Sequence, residues 1–234
     1  MHARAEPGLV SVVMPAFDEE AFIAEAINSV LAQTHRRVEL IVVDDGSTDR
    51  TAVIAAGFPA VRLVRRRSRG GPAAARNAGL EIARGEYWTI FDADDVMPLD
   101  RLALQVGFLE AHRLLGMVLG LTQAFAAAGE LRPPHWNPAW DDGPFPACAG
   151  TTLARREVFE LVGRFDEKLT VSEDVDWLAR AKDLGVGAGR VEVVCLHRRI
   201  HLDSTSADHD EVNVNLLRVL RESLHRRREQ GVAD

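Results

Sequence analysis

Short apolar runs alternate with amphipathic segments along the first half of the chain. Runs rich in β-branched and aromatic side chains predict strands over residues 10–14, 38–43, 61–64 and 87–91. The segments around them repeat their apolar positions at helical spacing and predict helices over residues 21–33, 48–56, 72–83 and 99–112. Strands that alternate with helices indicate crossover connections. We therefore predict an α/β fold with a mainly parallel central sheet and helices on both of its faces.

The alternation becomes irregular after residue 112. Residues 117–128 predict a strand or a buried hairpin, and the prolines within residues 130–148 indicate a long functional loop. Regular structure is predicted again over residues 150–154, in a helix from Arg155, in a helix over 173–184 with Ser172 at its N-cap, and in a strand over 191–196. A terminal helix over residues 211–228 carries an apolar stripe of Val212, Leu216, Val219, Leu220 and Leu224. This stripe favours packing on the domain, and it leaves homodimer formation and peripheral membrane contact open.

The net charge of the chain argues against nucleic acid as a partner. The 234 residues carry 28 Lys and Arg against 35 Asp and Glu, a formal net charge of −7, so the chain lacks the basic excess that nucleic-acid binding requires. Arginine-rich segments at residues 65–69 and 225–228 are short enough to be solvated surface. The chain has two cysteines and no apolar run of about 20 residues. We therefore expect a single domain without a transmembrane segment, in the reducing cytoplasm.

Three acidic clusters follow predicted strands. They are residues 18–20, Asp44 with Asp45, and Asp92, Asp94 and Asp95. Because ligands bind at the carboxyl ends of strands in open α/β sheets, one crevice can receive all three clusters. Proteins hold Mg²⁺ with one or two carboxylates together with substrate phosphates. Asp92 and Asp94, two residues apart, are predicted to face the same metal ion and its phosphates. Asp95 is predicted to point elsewhere or to cap the helix that follows. The alternative is a polar turn that caps the helix over residues 99–112.

Several ordered motifs resemble the family 2 glycosyltransferases of the GT-A fold. The resemblance begins with VSVVMPAFDEE and VELIVVDDGSTD within residues 10–49 and continues through GGPAAARNAG at 70–79 and FDADD at 91–95. It ends with GRFDE at residues 163–167 and SED at 172–174, and it covers about residues 9–206. Several motifs in the right order are far more specific than any one of them. The resemblance implies a GT-A fold and transfer of one sugar from a nucleotide sugar, a UDP-sugar first among them, to an acceptor hydroxyl with inversion at the anomeric carbon.

The same resemblance implies roles for individual residues. The nucleotide sugar would contact Pro15, Ala16, Phe17, Glu19, Asp44, Arg76, Asp92 and Ala93, with Asp92 at the ribose. Asp94 and His201 would hold Mn²⁺ or Mg²⁺, and Asp174 would deprotonate the acceptor. This sequence has Asp18 where the family usually has Asn, and Phe17 where Tyr is common. It lacks a Gln-x-x-Arg-Trp motif after Asp174, so the transfer of a single sugar is favoured over processive synthesis.

The resemblance also divides the chain into parts. Residues 9–115 would form the nucleotide-sugar-binding half, residues 116–206 the acceptor-binding and catalytic half, and residues 207–234 a C-terminal helix. The acceptor would be a glycan, a lipid-linked molecule or a small molecule recognised by the loop over residues 130–148. Trp136 and Trp140 in this loop could stack on a sugar ring or form a small core of their own. A nucleotidyltransferase, which would not need Asp174, and a non-catalytic nucleotide-sugar-binding module remain as alternatives.

Overall fold

Eight strands form one sheet in the described part of the chain. The computed structural model describes residues 5–126, 132–146, 149–202 and 209–229. The strands are β1 (Glu6–Ala16), β2 (Val38–Asp44), β3 (Val61–Arg65), β4 (Gly85–Ile90), β5 (Met117–Ala126), β6 (Phe145–Pro146), β7 (Leu153–Arg155) and β8 (Ala188–Ile200). Their order is β3-β2-β1-β4-β7-β5-β6, and β8 pairs with β5.

The pairing of the strands is mainly parallel, as predicted. β1 is parallel to β2 and β4, β2 is parallel to β3, and β5 is parallel to β8. β7 lies between β4 and β5 and is antiparallel to both. The two reversals bring β5 and β8 back to the direction of β1 and β4. The carboxyl ends of these strands therefore meet at one edge of the sheet, where ligands of such sheets bind.

Helices cover both faces of the sheet. They are α1 (Ile23–Leu31), α2 (Thr51–Ala56), α3 (Pro72–Ile82), α4 (Arg101–Ala111), α5 (Arg156–Val162), α6 (Glu173–Asp183) and α7 (His209–Glu229). Short 3₁₀ segments lie at Pro138–Asp142 and Ala149–Thr151. None of the helices in the described ranges is both long and apolar enough to cross a membrane.

The side chains of β1 alternate between the two apolar cores. Val12 and Met14 pack in the core beneath α1 and α4, whereas Val13 packs in the core beneath α3, α5 and α6. Gly79 of α3 lies directly on this second face, and a Cβ atom there would be 2.3 Å from Cγ1 of Val13. Glycine is required at this position because α3 approaches β1 so closely. The contact fixes α3, which carries Arg76, against the sheet.

The terminal helix α7 packs on α6 of the same chain, as the sequence favours, through part of the predicted stripe: Val219 and the half-buried Leu216 belong to it. Val219 is buried there, and Ser223 Oγ and Arg226 Nε donate hydrogen bonds to Asp183, each at 2.8 Å. Leu220 and Leu224 of the predicted stripe are 60 % and 43 % exposed instead. The side chain of Val212 lies outside the described residues. The polar bonds to Asp183 set the orientation of the helix, which an apolar pattern alone does not reveal.

The middle region contains more structure than a single loop. Of the predicted strand or hairpin over residues 117–128, the described part is one strand, β5. Of the predicted loop over residues 130–148, residues 130, 131, 147 and 148 lie outside the described ranges, and with them Cys148. The remainder holds a 3₁₀ segment and β6, which pairs with β5. The rings of Trp136 and Trp140 pack edge to face with centroids 5.5 Å apart, so they form a small aromatic cluster.

Candidate active site

The acidic loops converge at the carboxyl edge of the sheet. Residues 17–20 follow β1, residues 45–47 follow β2, residues 91–95 follow β4, and His201 follows β8. These strands run in the same direction, so the four segments lie at one edge. The sequence-based prediction of a shared crevice is consistent with this topology.

The first loop is bonded to the segment that follows β2. Oδ1 of Asp18 accepts hydrogen bonds from the backbone amides of Thr48, at 2.7 Å, and Asp49, at 3.3 Å. The backbone amide of Glu19 donates to Oγ1 of Thr51 at 2.7 Å. Asp18 has a φ of 55°, in the left-handed region that Asp and Asn adopt more readily than other non-glycine residues. Aspartate can therefore supply both the backbone conformation and the acceptor oxygen at a position where the family usually has asparagine.

The predicted base-binding residues line the start of this loop. Pro15 and Ala16 end β1, and the carbonyl of Ala16 accepts a hydrogen bond from the amide of Asp45 at 2.8 Å. The guanidinium of Arg69 lies over the ring of Phe17, 4.0 Å from its centroid. Phe17 is therefore held in place by a cation, which leaves the other face of its ring available for stacking.

Asp44 is fully buried, and its carboxylate shapes the loop after β2. Oδ1 accepts from the amide of Ser47 at 3.0 Å, and Oδ2 accepts from Nε of Arg65 at 3.2 Å. Both oxygens thus have protein partners. Each oxygen keeps a second lone pair, so these bonds by themselves do not exclude a further donor from a nucleotide base.

The turn over residues 92–95 directs its three carboxylates in different directions. β4 ends at Ile90, so the turn, and not strand alternation, sets these directions. Asp92 is half-exposed and accepts a hydrogen bond from Nη2 of Arg76 at 3.0 Å. Oδ2 of Asp94 lies 3.2 Å from Nε2 of His201. Ala93, between them, is buried. The structure therefore brings together the two predicted metal ligands and places Asp92 beside Arg76.

Asp95 is buried, and its side chain joins the turn to β8. Its Oδ1 accepts a hydrogen bond from the backbone amide of Arg199 at 2.8 Å. Burial, together with the charges of Asp94 and Asp92, raises the pKa of the Asp95 carboxyl well above its usual range. The sequence-based alternative, a turn that caps the following helix, is not seen for this side chain.

Arg199 fixes the backbone of the turn over residues 92–95. Its Nε donates to the backbone carbonyl of Asp94 at 2.8 Å, and its Nη2 donates to Glu25. The guanidinium lies 4.8 Å from the ring centroid of Phe22 and 4.6 Å from that of Phe125. Such cation–π contacts are strongest where the cation is desolvated, and the Arg199 side chain is 6 % exposed. Arg199 therefore fixes the backbone of Asp94 without using the Asp94 carboxylate.

We expect Arg199→Met to weaken Mn²⁺ binding in the presence of UDP by about tenfold or more, because residues that orient a metal ligand contribute about 10- to 100-fold to metal affinity. Isothermal calorimetry on the folded variant measures this effect. Arg198→Met, one residue earlier on β8, is the matched control. An unchanged Mn²⁺ affinity in a folded Arg199→Met protein would contradict the positioning role.

A cavity that is open to solvent lies beside Asp92 and Asp174. Its lining combines polar side chains with aromatic ones from the second core, among them the stacked Phe159 and Trp177, whose ring centroids are 4.3 Å apart. Arg76 also lines the cavity and pairs with both Asp92 and Glu173. The prediction placed Arg76 near the base, whereas its contacts join the turn after β4 to the start of α6.

Asp174 is the acid of the first turn of α6 that has no cationic partner among the described residues. Glu173 pairs with Arg76, and Asp176 pairs with Arg180 at 2.8 Å. Asp174 is half-exposed, and its Oδ1 accepts from the adjacent amide of Val175 at 2.7 Å. Its carboxylate therefore remains available to a hydroxyl that enters the cavity.

Ser172 occupies the N-cap position of α6, as predicted, but its side chain makes no capping hydrogen bond. Its φ of 64° is left-handed, which is costly for a residue with a Cβ atom. This sharp turn of the backbone brings Glu173 to Arg76 and Asp174 to the cavity.

The pKa of Glu19 is raised in the folded protein. Burial raises the pKa of its carboxyl to about 8, with the charges of Asp94 and Asp92 adding to this effect and that of His201 opposing it.

We expect the free energy of unfolding, measured in EDTA, to fall as the pH rises, with a component that Glu19→Gln removes. The unfolded carboxyl loses its proton near 4.5, whereas the folded one keeps it up to about 8. This stabilisation is complete below the lower value and is lost as the pH rises through the higher one. Urea titrations across the range measure the effect, with Glu110→Gln on the outer side of α4 as the control. A pH dependence that is identical in Glu19→Gln and wild type would contradict this origin.

The residues around Asp94 fit a divalent cation whose remaining ligands are supplied by substrate phosphates. The described ranges contain no group of three or more His, Cys, Asp or Glu side chains arranged to hold a metal ion by themselves. Asp94 and His201 supply an oxygen and a nitrogen within 3.2 Å of each other, and the charge that raises the pKa of Glu19 is of the sign that attracts a cation. A single carboxylate plus substrate phosphates matches the usual mode of Mg²⁺ binding.

Sequence reasoning missed the positioning residues. Arg199, Glu25 and Phe125 lie on three separate elements and meet only in the folded chain. The single signal in the sequence was Arg199 itself, two residues before His201. Glu173 was noted beside Asp174, but its pairing with Arg76 could not be read from spacing.

An eight-stranded mixed sheet whose carboxyl edge gathers acidic loops after β1, β2 and β4 defines the GT-A class of folds. The mannosyltransferase PcManGT from Pyrobaculum calidifontis, solved with GDP-Man and Mn²⁺, superposes with a TM-score of 0.72 at 23% identity, covering 92% of this chain and 64% of that one. S. aureus TarS 1-349, solved with UDP-GlcNAc, gives a TM-score of 0.70 at 21% identity, covering 86% and 61%. At these identities the likeness establishes a shared fold.

The sequence supplies the family. The family model described as glycosyl transferase family 2 matches residues 11–166, and the chain belongs to that family. An uncharacterized glycosyltransferase of Haemophilus influenzae is 39% identical over 111 residues, which cover 46% of this chain and 44% of that protein. The match thus spans less than half the length of this curated relative. The predicted resemblance is confirmed at the level of fold and family.

Proposed function

We propose that the chain is an inverting, metal-dependent glycosyltransferase that moves one sugar from a UDP-sugar to an acceptor hydroxyl. The observation that carries this proposal is the path from Asp94 through Asp92 and Arg76 to Glu173 and Asp174. One end of the path is the candidate metal pair, and the other end is a free carboxylate on a cavity. Donor activation and acceptor deprotonation need these two chemistries side by side.

The donor would lie along the carboxyl edge of the sheet. Its base would stack near Phe17, within the loop fixed by Asp18 and Glu19, and its ribose would meet Asp92. The relatives of this fold bind UDP-GlcNAc in one case and GDP-Man in another, so the fold accommodates both bases. We propose uracil, the base of the TarS ligand, for the position beside Phe17.

The chain's own residues would carry the proton and orient the reactants. The acceptor oxygen attacks the anomeric carbon, the bond from that carbon to the diphosphate oxygen breaks, and the acceptor proton passes to the carboxylate of Asp174. Attack opposite the leaving group inverts the anomeric centre. Asp94 and His201 would hold Mn²⁺ or Mg²⁺, which when bound supplies charge neutralisation for the departing diphosphate. Arg76 keeps Asp92 and Glu173 in fixed positions around the reacting groups.

The proposal divides the chain as the sequence suggested. Residues 9–115 contribute the donor side, and residues 116–206 contribute Asp174, His201 and the aromatic loop. The salt bridge of Arg76 to Glu173 crosses this boundary, whereas its bridge to Asp92 lies within the donor side. We propose that the acceptor, a glycan, a lipid-linked molecule or a small molecule, enters from the side of Trp136 and Trp140.

Thermal shift with a panel of nucleoside diphosphates and nucleotide sugars tests the donor site. We expect stabilisation by UDP and UDP-sugars that requires Mn²⁺, because a ligand that binds only the folded state raises its stability. Stabilisation by GDP alone would replace the proposed base with guanine. No stabilisation by any nucleotide would contradict the donor site. The anomeric configuration of the product, read by NMR, separates inversion from retention.

A further inference from the structure

The outer side of α7 carries an exposed row of aliphatic side chains. Val214, Leu217, Leu220 and Leu224 are 66 %, 67 %, 60 % and 43 % exposed. Their spacing of three, three and four residues places them on one side of the helix. Single exposed leucines need no explanation, whereas four aliphatic side chains on one helix side form a continuous apolar row.

Two arginines extend the same side. Arg221 and Arg228 are exposed and follow Leu217 and Leu224 by four residues each, so they flank the aliphatic row. Neither arginine has an ion pair among the described residues. The arginines on the docking side are paired, by contrast, since Arg218 contacts Glu222 at 2.9 Å and Arg226 contacts Asp183 at 2.8 Å. The outer side thus combines apolar groups with cations that have no ion pair among the described residues.

We infer that this side of α7 binds an anionic lipid surface. A helix that lies in a membrane interface buries its apolar side chains at the headgroup boundary and places Arg or Lys beside anionic headgroups. The row from Val214 to Leu224 is about 15 Å long on a helix about 10 Å wide. The chain as a whole carries a formal charge of −7, so attraction to an anionic surface has to come from a local patch such as this one.

A second copy of the chain fits this surface less well. Self-pairing would bring Arg221 and Arg228 near the same cations of the other copy, and the row is far smaller than the roughly 800 Å² per partner of a stable protein interface. The docking side, with Val219 and Ser223, is already covered by α6 and leaves the row facing outward. The geometry therefore favours lipid over self-association.

Vesicle co-sedimentation of the full chain tests the inference. We expect binding to phosphatidylcholine vesicles that contain phosphatidylglycerol, weak binding to phosphatidylcholine alone, and release at high salt. The double variants Leu217→Ser/Leu220→Ser and Arg221→Gln/Arg228→Gln should each weaken binding about tenfold or more. Leu114→Ser/Leu161→Ser and Arg36→Gln/Arg113→Gln, all at exposed positions away from α7, are the matched controls and should bind like wild type.

Two further measurements keep the outcomes distinct. Circular dichroism and UDP binding should be unchanged in all four variants, because the replaced side chains are exposed and lie outside the candidate site. Light scattering over a range of concentrations detects self-association. Absence of binding to anionic vesicles at low salt, or wild-type binding by either α7 variant, would overturn the inference. A dimer that Leu217→Ser/Leu220→Ser dissociates would assign the surface to a second copy.

Discussion

Asp174→Asn should lower the rate of sugar transfer by about 100-fold or more, the usual contribution of a general base. The amide keeps the shape of the side chain but cannot take the acceptor proton. Asp174 has no cationic partner among the described residues, so the substitution breaks no ion pair. Steady-state kinetics with the best donor and acceptor measures the rate, and UDP binding with Mn²⁺ should stay at the wild-type level.

The matched control is Glu157→Gln, because Glu157 is also an exposed acid in the first turn of a helix, α5. It should transfer sugar at the wild-type rate. Full activity in Asp174→Asn would remove Asp174 from the mechanism and would favour the nucleotidyltransferase alternative, which needs no such base. A wild-type protein that binds nucleotide sugar without any turnover would point to a binding module.

Asp94→Ala should abolish the Mn²⁺-dependent stabilisation by UDP and lower transfer by about 100-fold or more, since a metal supplies several kcal/mol of charge stabilisation to such a leaving group. The carboxylate is the oxygen ligand of the candidate pair, and His201 alone is a poor site for Mn²⁺ or Mg²⁺. Thermal shift with and without Mn²⁺ reads the binding, and kinetics reads the rate.

Asp100→Ala provides the comparison for Asp94→Ala. Asp100 occupies the N-cap position of α4, six residues further on, and accepts a hydrogen bond from Oγ1 of Thr34 at 2.9 Å. Its replacement should lower thermal stability slightly and leave the Mn²⁺ effect intact. Equal losses in the two variants would favour a structural role for the acidic segment and would count against a metal role for Asp94.

The βα alternation was predictable because it depends on local periodicity. The predicted strands over residues 10–14 and 38–43 are shorter than the observed β1 and β2. The outer residues of a strand are fixed by pairing with its neighbours and not by hydrophobicity. β7 was missed as an antiparallel insertion because three residues carry too little pattern. The register of β8 with β5, which brings His201 to Asp94, likewise depends on long-range pairing.

The candidate site was predictable only in its motif residues. Asp92, Asp94, Asp174 and Glu19 were identified through ordered motifs, and the fold brings their loops to one edge. The directions of the side chains were not predictable. Strand alternation predicted that Asp92 and Asp94 face the same metal ion and its phosphates. The turn instead directs Asp92 toward Arg76 and Asp94 toward His201. Asp44, predicted at the base, is engaged by Arg65 and Ser47, because a buried carboxylate is bonded wherever donors are near.

The turn after β4 is already ordered before the donor binds. Arg199 and the two backbone bonds between Val96 and His197, each 3.0 Å, order residues 92–95 as the chain folds. The conformational entropy of this turn is therefore lost during folding and does not oppose the ligand. Calorimetry of UDP with Mn²⁺ should then show a heat-capacity change that reflects the contact area alone, without the additional component that accompanies the ordering of a loop.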